Sequence, residues 1–163
     1  MKGRVAYFGV FTALALIFSY LETLIPVSVG IPGVKLGLAN LITVIALYKI
    51  PVKDVYVLAV VRVVLAGFIF GNYFSILYSL AGAVLSLTVM VILAKSDGFS
   101  VMGVSMAGGV AHNVGQLLIA MAVVETFSVV YYIPVLLVAG LVTGLLIGIV
   151  SGQVLKRITD IRF

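Results

Sequence analysis

One arginine lies in the middle of a long apolar stretch, where a charged side chain is costly. Arg62 is the only charged residue between Val55 and Phe70, and on a helix it lies about 12 Å from either end. A charge at that depth needs an anionic partner, a carbonyl partner or water. Two interpretations of Arg62 remain. One is a structural pair with backbone carbonyls or a buried glutamate, and the other is a counter-charge for an anionic group of a ligand.

A second set of polar side chains lies in another apolar stretch. His112, Asn113 and Gln116 are spaced by three and four residues, so we expect them to face one region of a helical bundle. An interhelical hydrogen-bond network, worth about 0.6–2 kcal/mol per bond, is one interpretation. A ligand site is the interpretation that we favour. The chain has one histidine and no cysteine, so we predict no metal site and no cofactor.

Further polar residues fall close to the ends of apolar stretches. Each by itself is typical of a helix cap or an interfacial anchor. Together with Arg62 and the histidine cluster they are predicted to line a solute-binding cavity open to one side of the membrane. A loop with Pro26, Gly30, Pro32 and Gly33 is expected to cover that cavity. The additional candidate residues are Glu22, Lys35, Asn40, Asn72 and Tyr73.

The elements that must position these groups are membrane helices. Of the 163 residues, 64% are hydrophobic and 9% are charged, whereas a soluble domain carries about a quarter charged residues. The pattern predicts an all-α integral membrane protein, with one domain of six transmembrane helices over residues 1–163. The predicted spans are Val5–Ile25, Leu36–Tyr48, Val55–Phe70, Phe74–Ala94, Val101–Val124 and Tyr132–Leu155.

The basic residues predict the orientation of these six spans. With the N-terminus in the cytoplasm, every lysine and arginine except Lys35 and Arg62 falls in a cytoplasmic segment. This asymmetry predicts that both termini are cytoplasmic. It also explains the net charge of +5 by topology, so we predict no nucleic-acid partner. We expect a multi-pass protein of the plasma membrane whose partner is the lipid bilayer.

Small residues recur at four-residue spacing in two spans. The sixth span has Gly140, Gly144, Gly148 and Gly152, a stripe that predicts close packing of a neighbouring helix. The first span has Gly9 and Ala13 at the same spacing. Such a stripe is normal within a bundle, and an exposed one is a docking surface for a second membrane protein.

Four stretches of the chain carry a family resemblance. They are FTALALIFSYLETLIP, IPGVKLGLANLITVIALY, FGNYFSILYSLAG and AHNVGQLLIA. The chain resembles the small membrane family labelled Gx transporter, also called heptaprenyl diphosphate synthase component I. That family is similar in size, helix number and topology to the substrate-binding S components of energy-coupling-factor transporters.

The resemblance implies an S-component-like bundle that captures a small vitamin- or precursor-like solute from outside. It implies a membrane coupling subunit and two cytoplasmic ATPases as partners, with Gly9 and Ala13 on the docking face. The chain itself has no phosphate-binding Gly-x-x-x-x-Gly-Lys-Ser/Thr loop.

The second family label predicts a different role that can be tested on its chemistry. Prenyl diphosphate synthases hold Mg²⁺ and diphosphate with clustered aspartates, whereas Asp54, Asp97 and Asp160 are far apart in this chain. We therefore expect no enzymatic activity. A membrane accessory component of heptaprenyl diphosphate biosynthesis, non-catalytic by itself, is the alternative. A stand-alone channel or secondary transporter is disfavoured because no internal repeat is visible.

Overall fold

The protein is described by a computed structural model over residues 2–24, 37–124 and 127–158. Within these residues the chain is helical and has no β-strand. A 3-10 helix, Phe127–Tyr132, precedes the last α-helix. The six α-helices are α1 Lys2–Leu24, α2 Leu38–Leu47, α3 Val52–Phe70, α4 Tyr73–Ala94, α5 Val101–Val124 and α6 Ile133–Arg157.

The six predicted helices are confirmed, and their ends fall where the local chemistry places them. Asn72 is the N-cap of α4, and its Oδ1 accepts a hydrogen bond of 2.9 Å from the Ser75 N–H. Pro51 directly precedes α3, where its missing N–H costs nothing. The second helix is shorter than predicted, because α2 ends at Leu47 and Tyr48–Lys49 form a turn.

Helices α2 to α6 pack in a closed order, each against its neighbours in sequence, and α6 returns to α2. Helix α1 lies outside this ring and packs on α2 and α3. At one end, which we call the Lys49 end, the Lys49 ammonium donates a hydrogen bond of 2.6 Å to the Ile158 carbonyl. At the opposite Glu22 end, the rings of Tyr20 and Phe70 lie 5.2 Å apart. The sequence predicts that the Lys49 end is cytoplasmic.

The apolar core lies towards the Lys49 end and joins all six helices. Its completely buried large side chains include Leu58 of α3, Leu87 of α4, Val44 of α2 and Val104 of α5. Every residue of α2 from Ile42 to Leu47 is buried. Helix α2 therefore serves as the apolar centre of this half of the bundle.

The glycine stripe of α6 is used inside the molecule, as its spacing predicts. A Cβ atom added to Gly140 would lie 2.8 Å from the Gly109 carbonyl oxygen, and one added to Gly144 would lie 2.7 Å from the Met106 Cα. Gly148 meets Met102 in the same way, whereas Gly152 has open space around it. The stripe thus lets α5 and α6 approach backbone to backbone.

Four helices are long and apolar enough to cross a bilayer: α1, α4, α5 and α6 together with the residues just before it. Helix α2 has only 10 residues, and α3 carries Lys53, Asp54 and Arg62. The long apolar helices identify an integral membrane protein. The two remaining helices, which fail the length or charge requirement of a simple span, bear on the candidate site.

Candidate functional site

Arg62 lies near the middle of α3 and is buried, with 8% of its surface exposed. Its Nε is buried and has no hydrogen-bond partner among the residues that the structure describes. A buried cation normally has an ion-pair or hydrogen-bond partner, since its desolvation is costly. The structure therefore retains in the interior a charged side chain whose Nε donor is not used by the described residues.

The carboxylate that interacts electrostatically with Arg62 belongs to Glu22, near the end of α1. The two groups attract each other electrostatically, but no nitrogen–oxygen pair within 4.0 Å joins them. Glu22 Oε1 instead accepts a hydrogen bond from the backbone N–H of Gly37, directly before α2. One acidic side chain thus links the end of α1 to the start of α2 and faces the charge on α3.

Helix α2 begins deep in the bundle. Gly37 has a φ of 71°, a left-handed conformation that favours glycine. A Cβ atom there would lie 3.2 Å from the Ile147 side chain, near the middle of α6, and 3.5 Å from the Asn40 Nδ2. Because α2 starts beside the middle of α6 and runs to the Lys49 end, it occupies only that half of the bundle.

The side chains of His112, Asn113 and Gln116, which we call the histidine cluster, contact two different neighbouring helices. A Cβ atom on Gly82 of α4 would lie 2.9 Å from Gln116 Cγ and 3.0 Å from His112 Cε1, so both side chains lie against α4. Asn113 points elsewhere and donates a hydrogen bond of 2.7 Å to the Leu136 carbonyl of α6. The expectation that all three face one region is therefore wrong for Asn113, because adjacent helical residues project about 100° apart.

The remaining candidates occupy different kinds of position. Asn72 is exposed and caps α4 with its amide oxygen, and Tyr73 is exposed at the Glu22 end, as an interfacial anchor would be. Asn40 is half-buried in the first turn of α2. Lys35 lies outside the described residues, as does the loop with Pro26, Gly30, Pro32 and Gly33.

The proposed docking face on α1 is open. Gly9 has nothing within 4 Å of a built Cβ atom, and Ala13 is exposed. Large apolar side chains of the same helix are exposed as well, among them Val10 and Ile17. In contrast with the α6 stripe, this pair of small residues is not used for packing within the described part of the chain.

Two glycines that position the site were not singled out as functional from the sequence. Gly37 allows α2 to start at mid-depth, and Gly82 gives His112 and Gln116 room against α4. A glycine at the start of an apolar stretch after a Pro/Gly-containing loop was the available signal for the first. No local signal identified Gly82, since its role depends on the packing of α5. In the described residues, no three His, Cys, Asp or Glu side chains cluster as metal ligands.

Comparison with known proteins assigns the family. Residues 11–154 match the family described as heptaprenyl diphosphate synthase component I. No curated protein and no solved structure matches the chain. The match covers most of the chain, from α1 to the last turns of α6, so the protein belongs to the heptaprenyl diphosphate synthase component I family.

Proposed function

We propose that this member of the heptaprenyl diphosphate synthase component I family is a solute-binding membrane subunit of an energy-coupling-factor-type importer. It captures a small vitamin- or precursor-like solute from outside, in the plasma membrane. The observation that carries the proposal is the buried Arg62, whose Nε has no partner in the described residues. A charged donor kept at mid-depth at this cost is typical of a site that binds a ligand.

The surroundings of Arg62 support a binding site rather than a conduction path. Below it, towards the Lys49 end, the apolar core is filled by completely buried side chains such as Leu58 and Val44. The polar side chains of Glu22 and Asn40 lie at the start of α2, and those of His112 and Gln116 lie between α5 and α4. A site with polar groups on one side and a packed apolar floor on the other binds a solute without passing it through.

Import then requires a partner, because the chain carries no ATP-binding loop. We assign this role to a membrane coupling subunit with cytoplasmic ATPases, and the docking face to Gly9 and Ala13 on the open side of α1. Small residues let a partner helix approach the backbone closely. The protein itself performs no catalysis under this proposal.

The family description favours one second candidate. The protein is then the membrane accessory component of a heptaprenyl diphosphate synthase, non-catalytic by itself and working with a second, enzymatic component. In that role the buried Arg62 would hold the diphosphate group of a substrate for that enzyme. The two candidates differ in the partner and in the solute.

Solute retention tests the site. The protein is purified in mild detergent and denatured, and the small molecules released are identified by mass spectrometry for the wild type, Arg62→Gln and Lys53→Gln. Lys53 is an exposed basic residue on the same helix, so its variant is the matched control. We expect the amount of solute released from Arg62→Gln to be at least about tenfold lower than that from the wild type. Equal retention by all three proteins would remove Arg62 from the site.

Partner recovery tests the assembly. Tagged wild-type protein, Gly9→Leu and Gly152→Leu are purified from native membranes after mild cross-linking. Both glycines have open space around them, so the α6 variant controls for the added side chain. ATPases with a coupling subunit, lost only in Gly9→Leu, would support the importer. A soluble prenyl diphosphate synthase in their place would support the accessory role.

A further inference from the structure

The start of α2 has the features of an incomplete anion site. Gly37 is its N-cap, and no side chain caps the helix from that position. In the described part of the chain, the N–H groups of Leu38 and Ala39 donate no hydrogen bond. Ala39 is buried, so bulk water does not readily replace a partner. The N-terminus of a helix carries partial positive charge and free donors, which together attract anions.

A second, independent feature lies next to this helix end. Arg62 is more than nine-tenths buried, and its Nε has no hydrogen-bond partner in the described residues. Both positive features face the same carboxylate: Glu22 is hydrogen-bonded to Gly37 and attracts Arg62. Glu22 therefore marks the place where negative charge is stabilised by α2 and α3 together.

Glu22 does not complete this site. Its Oε1 is held by the Gly37 N–H, and its carboxylate stays beyond ion-pair distance of Arg62. The carboxylate thus compensates part of the positive potential without saturating the guanidinium. An incoming anionic group that contacts Arg62 and the first turn of α2 would gain both sets of donors. It would also be repelled by the nearby Glu22 charge.

We propose that the N-terminus of α2 and Arg62 form a binding site for a carboxylate or phosphate group, in which Glu22 is the resident competitor. This inference rests on the proposed function and specifies the solute as an anion. When the anionic group binds, Glu22 gives up its hydrogen bond to Gly37 and moves away. Binding is thereby coupled to the link between the end of α1 and the start of α2. The neutral variant of a competitor binds anions more tightly, whereas the neutral variant of a ligand-contacting residue binds them more weakly.

The first experiment uses defined anions as probes. Thermal stability of the detergent-purified protein is measured against acetate, inorganic phosphate and diphosphate at constant ionic strength, with chloride as the reference. We expect at least one of the three to bind Glu22→Gln roughly tenfold more tightly than the wild type, a common size for coupling between competing groups. Arg62→Gln should lose the response. Whether acetate or the phosphates give it decides between a carboxylate and a phosphate.

Two control variants separate charge from shape. Glu22→Asp keeps the charge, and Asp54→Asn removes a negative charge at the Lys49 end instead. Neither should bind the probes as tightly as Glu22→Gln. If Glu22→Gln binds the probes no more tightly than the wild type, the competitor role is wrong. If none of the probes stabilises any of the proteins, the anion site is wrong.

A second measurement does not depend on the folding of Glu22→Gln. The chain has two glutamates, Glu22 and Glu125, so Glu125→Gln protein made with ¹³C-labelled glutamate has Glu22 as its only labelled carboxylate. Infrared difference spectra should show a shift of its carboxylate band when the probe anion binds. Binding without a shift would overturn the displacement of Glu22. The proposed function fails separately, if solute retention does not depend on Arg62.

Discussion

The two ends of the bundle differ in the side chains that fill their interiors. Towards the Lys49 end, all six helices meet in one apolar core, and the completely buried large side chains Val44, Val55, Leu58, Leu87 and Val104 lie there. From the middle towards the Glu22 end, the interior holds Arg62, Glu22 and the amide of Gln116 instead. One half of the molecule gains stability by packing, and the other half keeps polar groups that packing alone would exclude.

This difference shows how a small membrane protein can combine a stable fold with a costly site. A short helix makes it possible. Helix α2 begins in the interior, with its positive N-terminus towards the Glu22 half, and fills only the Lys49 half. The arrangement resembles the discontinuous helices whose ends form binding sites in membrane transporters. Ser151 is an exception, since its buried hydroxyl at the Lys49 end has no partner in the described residues.

The largest effect on stability should come from a cavity in the packed half. Leu58→Ala removes a side chain with 0% exposure and should lower the free energy of unfolding by about 2–5 kcal/mol. Leu65→Ala on the same helix, where the leucine is 39% exposed, should change it by less than about 1 kcal/mol. Denaturation in mixed micelles, followed by circular dichroism, measures both. Equal losses would mean that the two positions are packed alike.

A somewhat smaller effect is expected where α5 and α6 approach backbone to backbone. A Cβ atom on Gly109 would collide with the Gly140 carbonyl oxygen, and neither backbone can turn aside as a side chain would. Gly109→Ala should therefore cost about 1–3 kcal/mol of unfolding free energy. Gly152→Ala, on a glycine with open space, should be neutral or stabilising. A neutral Gly109→Ala would show that the α5–α6 contact is loose.

The smallest effects are expected in the histidine cluster, where one residue should affect stability and another should affect solute retention. Asn113→Ala deletes the hydrogen bond to the Leu136 carbonyl and should cost about 0.6–2 kcal/mol of stability, with solute retention unchanged. Gln116→Ala removes an amide that lies against Gly82 and should reduce retention while stability stays within about 0.5 kcal/mol. Stability and released solute are measured on the same preparations. The reverse pattern would move Asn113 into the site and Gln116 out of it.

Much of this architecture was predictable because a membrane helix is recognisable from the apolar stretch of sequence that forms it. Continuous apolar stretches predicted the six helices, and the Gly140–Gly148 spacing predicted a close helix contact. Arg62 was identifiable because no lipid-facing position tolerates an unpaired charge cheaply. These inferences need only composition and periodicity, which the chain carries whatever its neighbours are.

The sequence by itself determined that the protein is helical, membrane-embedded and marked by a few costly polar residues. Only the tertiary structure decided which of those residues meet. It placed Asn113 against α6, left Gly9 and Ala13 open, and joined Glu22 of α1 to Gly37 before α2, within electrostatic reach of Arg62 of α3. The reason is physical: a helix fixes the face on which a residue lies, whereas the partner of that face depends on how separate helices pack, and periodicity along the chain does not encode it.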